Sequence, residues 1–163
     1  MTQLELAGIG TLAREEWPQN VFVWRLVEPL SSGLFDEPVE ATVFLVGDDG
    51  LDGVDLTLMA GVLADLDRHL ETSLRFVLDS LLQRPEEFGL TEAELTPYRA
   101  LSTDDLPLDE PEVVFYTHDE WAVHFQAGDP PFAGPNGIVV EYQNLVPVRV
   151  DRLADEDDPS SVD

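Results

Sequence analysis

The chain has 163 residues, 44% of them hydrophobic, which suits one folded domain with a sizeable core. It carries 34 acidic residues against 8 basic ones, giving a formal net charge of -26, and all eight basic residues are arginine. This charge argues against direct contact with nucleic acid, because binding to phosphates needs a basic surface. The absence of cysteine excludes disulfides, thiol catalysis and thiolate metal sites.

Three interpretations of the acidity remain open. The carboxylates can simply keep an acidic housekeeping domain soluble, for example in a salt-adapted organism. They can form a face that captures a basic partner protein, such as a nuclease toxin, or an array that mimics DNA phosphates. No apolar run reaches the ~18 residues of a membrane span, and the first residues lack the order of a signal peptide. A cytoplasmic protein with no membrane contact is therefore expected.

The N-terminal third predicts three β-strands. Residues 6–12 are expected to form a first strand or a β-bulge near an edge, because Gly8 and Gly10 weaken a central strand. β-Branched and aromatic residues place the other two strands at residues 21–27 and 39–46. Residues 14–20, which are polar apart from Trp17, are expected to form a turn. In the second strand Arg25 prefers water, so the opposite side is the predicted core side and consists of Phe22, Trp24 and Leu26.

Residues 55–84 form the longest continuous pattern and predict an amphipathic helix. At 100° per residue, nine apolar side chains fall within an arc of roughly 160°. These are Met59, Val62, Leu63, Leu66, Leu70, Leu74, Val77, Leu78 and Leu81. Asp55 is the expected N-cap and Pro85 the stop. The length allows one long helix, or two with a bend near residues 69–72.

The C-terminal half predicts a short helix followed by four strands. Thr91 and Glu94 match a capping box, and residues 101–111 are expected to form an acidic linker. Two hairpins follow, at residues 113–127 with a turn at 119–120 and at residues 137–153 with a turn at 143–144. The first hairpin should present one core face, made of Val114, Tyr116, Trp121, Val123 and Phe125.

Together these elements predict one α+β domain over residues 1–153 and an acidic, disordered tail over residues 154–163. The sheet is expected to be mostly antiparallel, with about six to seven strands. It should pack on one long central helix plus a short second helix.

No pattern in the sequence specifies catalysis or a cofactor. Counted from Asp48 as a calcium loop, position 12 is Met59 instead of glutamate, so no calcium site is expected. The runner-up hypothesis is a small hydrolase or metal-dependent enzyme that uses His118, Asp119, Glu120 and His124. Because the predicted hairpin points the two histidines to opposite faces, a polar turn explains them better. His69 is expected to be a packing histidine on the flank of the helix.

The candidate partner-binding residues are acids and aromatics expected in loops. They are Glu15, Glu16, Trp17, Asp104, Asp105, Asp129 and Phe132. Exposed aromatic side chains surrounded by carboxylates would suit contact with a basic partner. The alternative is that the two aromatic residues fold under their loops and close the ends of the core.

The order of elements resembles that of several small bacterial families. The resemblance rests on residues 9–12, a strand containing tryptophan, a long helix after a Gly/Asp turn, and the closing strands at residues 121–125 and 137–142. Such families are uncharacterised and include immunity proteins encoded beside polymorphic toxins. The resemblance implies an α+β fold and binding of a toxin, and it carries over no catalytic residue. We therefore expect a non-enzymatic, acidic binding protein that neutralises a basic toxin by occlusion.

Overall fold

A computed structural model describes residues 2–47, 50–128 and 137–152, except the side chains of Asp104 and Arg152. It shows an α+β architecture built on one eight-stranded sheet whose strands follow the order of the sequence. The strands are β1 Gln3–Leu6, β2 Gly10–Trp17, β3 Val21–Leu26, β4 Glu40–Val46, β5 Leu108–Phe115, β6 Glu120–Gly128, β7 Ile138–Gln143 and β8 Val146–Arg152.

All neighbouring strands are antiparallel except β4 and β5, which are parallel. The helices lie between these two strands in the sequence, as a parallel pair requires a crossover connection. The helical elements are α1 Leu56–Ala64, α2 Leu66–Gln83 and α3 Thr96–Arg99, with 3₁₀ turns at Leu51–Gly53, Pro85–Phe88, Glu92–Leu95 and Thr103–Asp105.

The apolar stripe of the helical region packs on the sheet as predicted. Of its nine residues, eight are buried and Leu63 is partly buried. The Asp55 carboxylate caps α1 by accepting a hydrogen bond from the Leu58 N–H at 3.0 Å. The predicted capping box is also present, since Glu94 accepts from the backbone and the hydroxyl of Thr91.

The sequence predicted one long helix, or two helices with a bend near residues 69–72. The structure has two helices, but they meet at Asp65. The chain leaves helical geometry at Asp65, where φ is -124° and ψ is 39°. The Asp65 N–H donates to the carbonyl of Val62, three residues back, so the first helix closes there. Aspartate has a low helix propensity, and Asp65 is exposed, so no core packing opposes the break.

The N-terminal strands were predicted incompletely. Residues 6–12 are not one strand, because Leu6 ends β1, Gly10 begins β2, and the turn between them includes Gly8 with a φ of 78°. The expected turn at residues 14–20 is shorter, because β2 continues to Trp17 and pairs it with Val21. The sheet therefore has eight strands instead of six or seven.

The predicted core face of the β5–β6 hairpin is wrong on one strand. Phe115 pairs with Trp121, and the turn between them includes His118 at a φ of 61°. A two-residue turn at residues 119–120 would instead pair Trp121 with His118, three positions from Phe115, and a shift by an odd number of residues exchanges the two faces of a strand. Val113 and Phe115 are consequently buried, while Val114 and Tyr116 point to the other side of the sheet.

The second hairpin is confirmed, with its turn at Asn144 and Leu145 instead of residues 143–144. The expected linker at residues 101–111 is partly wrong, because β5 already begins at Leu108, which is buried. Leu106 is buried as well, so apolar anchors hold this segment on the core in spite of its acidic residues. The expected tail at residues 154–163 lies outside the described residues.

We expect Gly137→Ala to lower the free energy of unfolding by about 3 kcal/mol or more. Gly137 has a φ of 86°, and a Cβ there would stand 2.0 Å from the carbonyl oxygen of Phe125. The matched control is Gly61→Ala on the exposed side of α1, where a Cβ meets nothing within 4 Å. That change should stabilise by about 0.5–1 kcal/mol, because alanine favours the helix. Urea unfolding measures both, and equal effects would contradict this account.

Candidate partner-binding face

The sheet has two unlike faces. On one, α2 packs on the strands, with the rings of His69 and Trp121 in edge contact at 5.3 Å between centroids. We call the other side the open face, because none of the described helices packs on it. Its residues alternate with the core residues along each strand, as the pleat of a sheet requires.

An aromatic row crosses one end of the open face. The Trp17 ring meets Phe44 at a centroid distance of 6.4 Å, and Phe44 meets Tyr116 at 6.2 Å, both in edge-to-face geometry. Trp17 is 47% exposed, and Val46, on the same strand as Phe44, is 69% exposed. We call Trp17, Phe44 and Tyr116 the aromatic row. Within the row Trp17 is exposed to solvent, whereas Phe44 and Tyr116 are partly buried.

An arginine surrounded by carboxylates occupies the middle of the open face. Arg25 lies 3.5 Å from Glu15, 3.0 Å from Glu40 and 3.8 Å from Glu112, measured between nitrogen and oxygen atoms. We call these four residues the arginine cluster. One cation faces three carboxylates, so the cluster keeps an excess of negative charge. It adjoins the aromatic row, because the Trp17 indole N–H donates to Glu15 at 3.3 Å.

Titration behaviour in this region reflects burial and negative charge. Burial raises the pKa of Glu112, and the nearby Glu40 raises it further, against opposing contributions from His124 and Arg25. Burial, together with the charges of Glu141 and Glu112, also raises the pKa of Tyr116. Because the carboxylates disfavour further negative charge, the open face favours contact with cations.

A shallow cavity of about 520 Å³ continues the open face beyond Tyr116. Its rim includes Glu120, Glu141 and Arg149, and the last two form an ion pair across β7 and β8. The row, the cluster and this cavity form a surface that runs from β2 to β8. Such a surface combines aromatic anchors with a charged surround, which is the composition of protein interaction sites.

The structure brings together only two of the candidate residues predicted from the sequence. Glu15 and Trp17 both lie on the open face, and the exposure of Trp17 rules out the alternative that it closes the core. Glu16 points to the other side of β2, where it pairs with Arg14 at 3.5 Å. Trp17 and its two acidic neighbours lie on a strand and not in the expected turn.

The remaining candidates do not join this surface. Asp105 lies in the 3₁₀ turn that packs near α2, on the helix side, and accepts a hydrogen bond from Ser102 at 3.0 Å. Asp104 belongs to the same turn, without a described side chain. Asp129 and Phe132 lie outside the described residues.

The residues proposed for an enzymatic site are not brought together. His118 lies in the β5–β6 turn, where its backbone bonds to Gly53 and Asp55, whereas His124 lies within β6 opposite Glu112. Glu120 and His124 are four residues apart on one strand, which separates them by roughly 13 Å. Over residues 2–47, 50–128 and 137–152, no three His, Asp or Glu side chains are arranged so that they could hold a metal ion.

Most of the open face was missed by sequence reasoning. Phe44, Tyr116, Glu40 and Glu112 come together only through the parallel pairing of β4 with β5. A sequence signal existed for Phe44, because it alternates with the core residues Val43 and Leu45. The pairing itself joins residues more than 70 positions apart, and no local pattern encodes it.

No protein-family model matches this chain, and no curated protein or solved structure shows significant similarity to it. In the part of the chain that the structure describes, no helix has the length and apolar character needed to cross a membrane.

We expect the Glu112→Gln substitution to become more favourable to stability as the pH rises from about 4 upward, through the ordinary pKa of 4.5 and then the raised pKa of Glu112. The pKa of Glu112 is raised in the folded state above its ordinary value, so ionisation of this carboxyl opposes folding. The wild-type protein thus loses the contribution of this group as the pH rises through that pKa, and the glutamine variant lacks this loss. Urea unfolding of both proteins at each pH measures the difference, and a pH-independent difference would contradict the assignment.

Proposed function

We propose that the chain is a non-enzymatic, cytoplasmic binding protein that neutralises a basic partner protein through its open face. Its most concrete form is an immunity-type protein that occludes the active surface of a basic toxin such as a nuclease. The observation that carries this proposal is the aromatic row beside the arginine cluster, in which Trp17 is 47% exposed and Phe44 and Tyr116 are partly buried.

The aromatic row supplies anchors for a partner. Tryptophan and tyrosine are the residue types that most often dominate the binding energy of protein interfaces. Trp17 and Tyr116 are held by Phe44 between them, so little side-chain freedom is lost when a partner covers them. A sheet that presents these rings at fixed spacing is pre-organised for binding.

The charge of the chain favours a basic partner. A net charge of -26 accelerates the encounter with a cationic protein and repels acidic ones. In the arginine cluster, three carboxylates already share one guanidinium, so a partner's arginine or lysine would find acceptors held in place. This arrangement supports recognition of a positively charged surface.

We expect Trp17→Ala to weaken the complex with the product of the neighbouring gene by at least about 10-fold, as loss of an anchor does. Leu4→Ala is the matched control, because Leu4 is 42% exposed but lies on β1, away from the aromatic row. It should change affinity less than about 2-fold. Calorimetric titration measures both, and the absence of any tight complex with the wild-type protein would refute the proposal.

The association rate should fall steeply with salt. Between about 50 and 500 mM NaCl we expect a decrease of at least 10-fold in the association rate constant, with a smaller change in dissociation, because screening acts on the encounter. Surface plasmon resonance at several salt concentrations separates the two constants. A rate independent of salt would show that the acidity serves solubility and not capture.

A further inference from the structure

A second cavity, of about 540 Å³, lies on the helix side of the sheet. It opens between the α1–α2 pair and the β7–β8 turn, and the break at Asp65 falls on its wall. Its lining includes Asp55, Leu58, Asp65, His69, Thr72 and Leu145. A volume of this size suits a whole small molecule or one long side chain.

His69 is an unsatisfied polar group in this cavity. Its side chain is 9% exposed, and its imidazole makes no hydrogen bond to the described part of the chain. Burial lowers the pKa of His69, so the ring is neutral at pH 7 and offers one N–H donor and one nitrogen acceptor. Buried polar groups are nearly always paired, so an unpaired imidazole on a cavity wall points to a ligand.

The floor behind His69 is built rigidly. The rings of Trp121 and Tyr142 stack at 4.0 Å, and the Trp121 indole donates to the Asn144 carbonyl at 2.5 Å. The Tyr142 hydroxyl lies 2.7 Å from the Ser73 hydroxyl and donates to the His69 carbonyl at 3.2 Å. These contacts fix both α2 and the β7–β8 turn, so the cavity exists before any ligand arrives.

The walls combine negative charge with apolar surface. Asp65 forms an ion pair with Arg68 at 3.3 Å. Asp55 caps α1 with one carboxylate oxygen and has no basic partner among the described residues. The cavity therefore has a local excess of one negative charge. Leu58 is partly exposed and Leu145 is 55% exposed, so both can cover the body of a ligand.

We propose that this cavity binds an organic cation, an amine or guanidinium group carried on an apolar body. The cationic group donates a hydrogen bond to the His69 imidazole and lies near Asp55 and Asp65, while the apolar body packs between Leu58 and Leu145. A free small molecule and an arginine side chain of a protein share this chemistry. The site lies across the sheet from the open face and does not depend on the proposed toxin-binding function.

The test is a titration of the intact protein with benzamidine, followed by NMR of the three histidine rings. We expect a saturable shift of the His69 signal with a Kd of about 1 mM or tighter, reasonable for a ligand of about nine non-hydrogen atoms. His118 and His124 should not move. Benzamide, the neutral analogue, should shift nothing. A His69 signal unmoved at about 10 mM benzamidine, or moved equally by benzamide, would overturn the proposal.

Two variants test the walls without removing the buried histidine. Asp55→Asn keeps the helix cap but removes the charge, so benzamidine should bind several-fold more weakly. Leu145→Lys places a cation at the rim and should weaken binding by at least about 10-fold. Val46→Lys, on the open face and 69% exposed, is the matched control and should not change it. Equal loss in all three variants would argue against the site.

A second ligand distinguishes the two sources of the cation. N-acetyl-arginine methylamide carries the guanidinium on a peptide backbone, whereas benzamidine resembles a free small molecule. Saturable binding of either ligand supports the cation site. The tighter of the two identifies whether a free molecule or a protein side chain fits the cavity better.

Discussion

The packing of α2 on the aromatic stack of β5, β6 and β7 determines which side of the sheet is core. Trp121 stacks on Tyr142 at 4.0 Å and on Phe115 at 5.9 Å, and Tyr142 bonds through its hydroxyl to Ser73 of α2. Burial also raises the pKa of Tyr142 to about 12, so the hydroxyl remains a neutral donor over the accessible pH range. This contact fixes the helix to three strands by packing and hydrogen bonding together.

The described helices cover only one face of the sheet. Every second side chain of each strand therefore lies on the open face. Near the middle of the sheet, these open-face side chains are charged or aromatic. They shield smaller neighbours such as Val23 and Thr42, which are 3% and 4% exposed. The open face is thus ordered without a covering helix. The same order makes it suitable as a binding surface, because its rings and carboxylates are already in place.

The sequence predicts local elements well and long-range placement poorly. Eight of nine stripe residues are buried, since the period of a helix is visible within one segment. Asp55, Thr91 and Glu94 were identifiable because capping depends on neighbours. Tyr116 was assigned to the wrong face because the turn around His118 is longer than two residues and shifts the register by three positions, an odd number. The arginine cluster could not be predicted, because Glu40 and Glu112 meet only after the crossover.

The central claim is that the open face binds a basic partner, and hydroxyl-radical footprinting of side chains in the complex with the neighbouring gene product tests it most directly. Unlike amide exchange, this labelling reports side chains on a sheet whose backbone is already protected. The account predicts that labelling of Trp17 and Tyr116 falls on binding, while Leu58 and Leu145 on the helix side keep their labelling. Protection of Leu58 and Leu145 with unchanged Trp17 and Tyr116 would contradict it.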